Sequence, residues 1–264
     1  MAQKRTRRRT APPLKTKRKS PQRAGRRPDR RDASALVQKL KQVADPTHAR
    51  HTRNSLGTRL PLLGVAATQV KEIAKEFLKA QGSQPSLKSV YAVAHDLWKT
   101  GYLEARVLGL LMLRRLEKQF DERIWRLADR WLNEIDDWSL CDTLCVCVMA
   151  PMVAAELSKI EKLVEWTEAK SPWRRRAAVV SLRRLNRRGQ SQPEATFRVC
   201  ERLMQDAEWP VRKAVGFTLR DIGLDAPEQL AEFLKHWKPK THRSIIREAT
   251  KKLPPNLREA VLSS

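Results

Sequence analysis

One carboxylate stands out for its company. In Ile135-Asp-Asp-Trp-Ser-Leu-Cys-Asp-Thr-Leu144, Trp138 and Asp142 are four residues apart. On a helix that spacing sets the indole and the carboxylate on one flank. Cys141, Leu144, Cys145, Val148 and Met152 recur at three and four residues and predict the buried stripe of the same helix. Asp136 or Asp137 can cap its N-terminus. A carboxylate beside an aromatic face can stabilise a developing positive charge and position a water. It can also simply pair with an arginine. Mid-helix Asp has poor helix propensity, and composition alone favours the structural pair, with Arg176 as partner.

The surroundings of this pair are cationic. Residues 171–188 contain seven Arg and no acid. Over 174–188 an advance of 100° per residue gathers Ala178, Val179, Leu182 and Leu185 into an apolar stripe, with Arg176, Arg183 and Arg187 together off its centre. The next such segment has Val211, Ala214, Val215, Leu219 and Ile222 on the stripe and Lys213, Phe217 and Arg220 off it. Arg175, Arg183, Arg187, Lys213 and Arg220 therefore form a candidate phosphate-gripping ridge, and Phe217 an apolar contact within it, unless a neighbouring helix covers that ring. No metal or cofactor is expected. His48, His51, His95, His236 and His242 make no ligand pair at helical spacing, and Cys141, Cys145, Cys147 and Cys200 make no CxxC, so buried free thiols are the expectation.

These residues need helices to position them, and the chain from Ala33 onward reads as helix throughout. Glycine is scarce, at 9 residues, and Pro or Gly punctuates periodic segments from Pro46 to Pro255. Trp173-Arg-Arg-Arg-Ala-Ala-Val-Val-Ser-Leu-Arg-Arg-Leu185 overlays Pro210-Val-Arg-Lys-Ala-Val-Gly-Phe-Thr-Leu-Arg-Asp-Ile222 at a shift of 37 residues. Trp138 precedes Trp173 by 35 residues. Two helices per 35 to 37 residues predict an all-α solenoid of the HEAT or armadillo kind, whose stacked pairs leave a groove for a long ligand. Residues 32–264 would form this domain. Residues 1–31 carry 14 Lys/Arg against Asp29, have no apolar periodicity, and are expected to be a disordered basic arm that binds phosphates without sequence preference. The whole chain of 264 residues has a net charge of +25, which makes nucleic acid the first partner to consider. No run approaches the roughly 18 consecutive apolar residues of a membrane span.

Taken together, Trp138-Ser-Leu-Cys-Asp142, Trp173-Arg-Arg-Arg-Ala-Ala-Val-Val180 and Arg212-Lys-Ala-Val-Gly-Phe-Thr-Leu-Arg220 resemble the AlkD-like DNA alkylation repair family. Leu63-Gly64-Val65 and Asp96-Leu97-Trp98 extend the likeness over roughly residues 33–255. The resemblance implies HEAT-like repeats and a monomeric DNA glycosylase that excises cationic N3- or N7-alkylated purines from double-stranded DNA, with the base still stacked. It matches Asp142 to the catalytic aspartate, Trp138 to the groove tryptophan and Arg176 to the active-site arginine. Phe217 falls where members commonly carry a second tryptophan, and the tyrosine often found near their N-terminal helices has no clear counterpart. The alternative is a noncatalytic repeat protein that binds damaged or branched nucleic acid. The expected location is the bacterial cytoplasm, on the nucleoid, or the eukaryotic nucleus.

Overall fold

The computed structural model describes residues 30–82, 84–186, 189 and 192–263. The expected basic arm lies outside these residues, except that its last two positions begin the first helix. Arg187 also lies outside them. The helices are α1 (Arg30–Gln42), α2 (Pro46–Leu56), α3 (Ala67–Ala80), α4 (Leu87–Lys99), α5 (Leu103–Arg114), α6 (Glu122–Trp131), α7 (Trp138–Leu144), α8 (Ala150–Ala155), α9 (Ile160–Trp166), α10 (Pro172–Val180), α11 (Pro193–Cys200), α12 (Trp209–Ile222), α13 (Pro227–Trp237), α14 (Arg243–Ala249) and α15 (Pro255–Ser263). No strand occurs among the described residues. The prolines that punctuate the sequence open helices: α2, α10, α11, α12 and α13 each have one in the first turn, where its missing N–H would have had no partner.

The helices stack in two layers. In the first, α5 packs on α7, α7 on α10, α10 on α12 and α12 on α14. In the second, α4, α6, α9, α11 and α13 follow one another. The second layer is seamed by rings: Trp98 of α4 stacks on Trp131 of α6 at 4.2 Å, Trp125 of α6 on Trp166 of α9 at 5.5 Å, and Phe197 of α11 on Phe233 of α13 at 4.5 Å. The first layer is seamed by ion pairs, Asp142–Arg176, Arg183–Asp221 and Arg220–Glu248. The solenoid expectation therefore holds. The period is visible in hydrogen bonds that join equivalent places in successive repeats, such as Lys159 to Glu122, Arg198 to Glu161 and Thr241 to the Met204 carbonyl, each 37 residues apart. The three apolar stripes read from periodicity are buried throughout.

Residues 138–155 run on as one helical stretch, but not as one α-helix. Cys145–Met149 adopt π geometry, with the Ala150 N–H bonded to the Cys145 carbonyl five residues back. Pro151 follows directly. Its ring and missing N–H exclude the ordinary bond to the residue four back, and a local π turn is a common accommodation at functional helices. This stretch of 18 residues has a mean hydropathy of 1.6 and is long and apolar enough to cross a membrane. Periodicity passed over it because Ser139, Asp142 and Thr143 interrupt the apolar run. Its packing against α5 and α10 places it in the core, with 61% of it buried.

The loop between α2 and α3 is anchored to α5 by a carboxylate. Buried Glu104 of α5 accepts backbone N–H bonds from Leu63, Gly64 and Val65, the shortest at 2.6 Å from Gly64. Gly64 has φ +78°, and a Cβ there would lie 1.9 Å from the Asp45 carbonyl oxygen. Only glycine lets that loop close onto α2 while presenting its amides to Glu104.

Candidate functional site

The site is built on the facing sides of α7, α10 and α12. Asp137 is the N-cap of α7, accepting the Leu140 N–H at 2.9 Å. Asp136 points the other way, accepting from the Thr58 hydroxyl at 2.6 Å and the Arg59 N–H at 2.8 Å. The loop after α2 is thereby tied to the start of α7. The two neighbouring carboxyls diverge in acidity. Burial opposes the Asp136 charge, but the Thr58 and Arg59 bonds outweigh it and hold its pKa below the usual value. Burial dominates at Asp137 and, with the Asp136 charge, raises its pKa, while its Oδ2 is buried without a partner.

A raised folded pKa means that ionised Asp137 costs stability, and that cost appears as pH rises through the folded value. Asn keeps the cap without the charge. Asp137→Asn is therefore expected to be neutral or stabilising at neutral pH. The advantage should shrink as pH falls through the raised folded value and be gone below about 4, the unfolded carboxyl value. Urea unfolding at both pH values checks this; an Asn variant that is worse at pH 7 than in acid contradicts it.

Trp138 is the first residue of α7 and is 37% exposed. One turn on, the Asp142 carboxylate is gripped on both oxygens, with Arg176 Nε donating to Oδ1 at 2.7 Å and Nη2 to Oδ2 at 2.8 Å. The Asp142 side chain retains 21% exposure. The remaining Arg176 nitrogen, Nη1, donates to the Pro210 carbonyl of α12 at 2.5 Å. Burial opposes the Arg176 charge, and the bonds and charge of Asp142 reverse that effect, so its pKa is raised. The ring of Phe217 follows, with the Arg176 guanidinium 5.5 Å from its centroid and that of Arg183 at 5.2 Å. Asp142, Arg176, Phe217 and Arg183 thus form one contiguous chain across three helices.

Other candidates separate from this chain. Arg176 itself is only 2% exposed, so it supports the carboxylate from beneath and cannot reach a phosphate, as a place on the cationic ridge would require. Arg175 turns into the repeat junction, where Asp206 takes its Nε at 2.6 Å and the Ala169 and Lys170 carbonyls take Nη1. Arg220 is paired with Glu248 and lies near Asp221. Asp206 and Glu248 sit 31 and 28 residues from their arginines in sequence, where helical periodicity does not see them. Lys213 keeps an exposed side chain and Arg183 a partly exposed one. Phe217 is half-buried, with guanidiniums over its ring, and is a support more than a free platform.

One aromatic was missed. Trp209 opens α12, is 53% exposed, and carries the Lys213 ammonium 5.1 Å from its ring. Trp138, Trp173 and Trp209 are spaced by 35 and 36 residues and occupy the first turns of three successive helices of the first layer. The row is visible at a shift of 36 residues, which brings Trp209 onto Trp173, and not at the shift of 37 that pairs Trp173 with Pro210.

The four cysteines are free and buried. Burial raises the Cys147 thiol to about 11 and lifts Cys200 further, so neither offers a thiolate at neutral pH. Among the described residues no three His, Cys, Asp or Glu side chains gather as metal ligands.

Residues 36–253 match the DNA alkylation repair enzyme family. No curated protein matches the chain significantly. Solved structures that share the fold include the following two. A predicted DNA alkylation repair enzyme from Enterococcus faecalis is 17% identical, with a TM-score of 0.69, over 80% of this chain and 97% of its own. AlkD2 from Streptococcus mutans is 18% identical, with a TM-score of 0.61, over 84% of this chain and 98% of its own.

Proposed function

Because the chain belongs to the DNA alkylation repair enzyme family, and so to DNA repair, we propose that it is a DNA glycosylase that releases N3- or N7-alkylated purines from duplex DNA. The observation that carries this reading is the Asp142 carboxylate, fixed on both oxygens by a buried arginine yet partly exposed one turn from an exposed tryptophan. Alkylation at N3 or N7 makes the purine cationic. Its C1′–N bond can then break with the electron pair leaving on a neutral base, so no acid is needed to protonate the leaving group. The sugar becomes oxocarbenium-like, and a water adds at C1′ and loses its proton. Asp142 holds its charge where that cation develops and can orient the water. Trp138 offers a π-face to the same cation. Lys213, exposed, and Arg183, partly exposed, would take flanking phosphates.

The defining experiment is incubation with duplex DNA carrying N7-methylguanine or N3-methyladenine, followed by detection of free base. Free base released in single turnover is the expected result; tight binding without release favours the noncatalytic reading, which the closed Asp142–Arg176 pair would also suit. Trp209→Ala separates grip from chemistry. Its exposed ring contributes little to the fold, so the variant should bind duplex about two- to tenfold more weakly, the worth of one aromatic contact. Release from bound DNA should be unchanged. A fall in the bound-state rate equal to the fall in affinity would move Trp209 into the reacting site.

A further inference from the structure

A second cationic feature lies in the other layer of the solenoid. The first turns of α4 and the length of α6 enclose a cleft of about 940 Å³, lined by none of the residues described above as groove residues. Leu87, Tyr91 and Ile124 give it an apolar wall. Four cations border it: Lys88 on α4, and Arg123, Arg126 and Arg130 on α6. The one acid in its wall, Asp121, is spent on the Arg123 side chain at 2.6 Å and on capping α6. Lys88, Arg126 and Arg130 have no hydrogen bond or ion pair with any described residue.

Three uncompensated cations around an apolar wall repel one another and gain nothing for the fold, whereas Arg174, Arg175, Arg176 and Arg184 are each tied to an acid of another helix or turn. Arg126 and Arg130 stand one turn apart, about 6 Å along the helix. Successive phosphates of an extended strand can meet such a pair, with Lys88 across the cleft for the next. Tyr91 stacks on His95, with centroids 6.2 Å apart and planes within 6°. Burial, and then the nearby Lys99, holds the His95 pKa below the ordinary imidazole value, so the pair is uncharged at neutral pH. Cations along a channel with an aromatic in its wall are the recognition chemistry of unpaired strands, whose bases are free to stack. A duplex keeps its bases inside and could not use Tyr91.

We propose that the cleft between α4 and α6 is a second nucleic-acid site, which takes a short single-stranded segment with phosphates on Lys88, Arg126 and Arg130 and a base against Tyr91. It is separate from the groove at Asp142, and its test does not depend on base release. Fluorescence anisotropy of the full chain is measured with an oligothymidylate of about eight nucleotides, within the span of one single-strand site, while excess unlabelled duplex occupies the groove. The basic arm is the same in every variant, so differences report the cleft. Arg126→Ala/Arg130→Ala should weaken binding about tenfold or more near 0.1 M salt and flatten the log–log salt slope by about 1.4, two contacts at ~0.7 each. Tyr91→Leu should weaken it at least about fivefold, and Tyr91→Phe should restore it. Duplex binding and any base release should stay at the wild-type level in all three. An unchanged salt slope in the double variant overturns the proposal. So does competition by thymidine monophosphate or inorganic phosphate at the oligonucleotide's own concentration, which would make the site one for an isolated phosphate. Parallel loss of duplex binding would assign these residues to the groove instead.

Discussion

Asp142→Asn is expected to lower single-turnover release of alkylated purine by about 10²–10³-fold, the usual loss when one preorganised charge is removed from a reacting centre. Duplex binding should persist or tighten, because an anion leaves a cationic groove. The bidentate geometry adds a cost. Both carboxylate oxygens accept from Arg176. Asn can replace one of them, but its NH₂ then faces a guanidinium donor, and one Arg176 bond is lost. A stability loss of about 1–3 kcal/mol is expected from that unmet donor. Activity must therefore be read per folded molecule, well below the unfolding midpoint. If Asp142 serves only as a partner for Arg176, the variant loses stability and keeps its rate. A folded Asp142→Asn protein that releases base at the wild-type rate refutes the catalytic role.

Arg176→Ala is expected to be the most destabilising single substitution in the groove. It strips Asp142 of its partner and leaves the Pro210 carbonyl without its guanidinium donor. Breaking such a pair from the buried side costs about 3–5 kcal/mol, and the partial exposure of Asp142 argues for the lower end. Release of base should fall at least as far as in Asp142→Asn, since the carboxylate loses both its orientation and the neighbouring charge. Arg176→Lys should rescue only part of either effect, because an ammonium cannot bridge both oxygens and the carbonyl at once. Arg183→Ala is the control. Arg183 makes a 3.4 Å contact with Asp221 and covers one ring, so its loss should weaken DNA binding with little change in stability or in the rate of bound DNA. Equal stability losses for the two alanine variants would contradict the central place of Arg176.

What could be read in advance, and what could not, divides by distance along the chain. The stripe Cys141, Leu144, Cys145, Val148 and Met152 and its counterparts near 180 and 215 were legible because burial on a helix repeats locally. The repeat was legible because the same packing problem recurs every 35 to 37 residues. Trp138 and Asp142 needed only their spacing of four. The fate of each arginine did not follow from such patterns. Arg175 and Arg176 are adjacent on α10, yet one ends on Asp206 and the other on Asp142, 31 residues ahead and 34 behind. Periodicity placed Arg176 at the edge of the stripe, and only the arrival of α7 and α12 on either side buried it. The Glu104 anchor and the π turn at Pro151 were equally hidden, since one depends on a loop 40 residues away and the other on a register change inside an otherwise regular pattern.

In a solenoid each repeat touches only its neighbours, so opening normally starts at an end and spreads one interface at a time. Arg176 interrupts that independence. It sits on α10 and holds α7 through Asp142 and α12 through the Pro210 carbonyl, so its three nitrogens bridge consecutive repeats. Fraying that begins at α15 and reaches α12 frees the Arg176 nitrogen bonded to Pro210, and the guanidinium that orients Asp142 can then swing. The carboxylate is thereby made sensitive to the integrity of the stack beyond it. Hydrogen exchange should show the amides of α7, α10 and α12 opening as one cooperative block, while α13 to α15 exchange ahead of them.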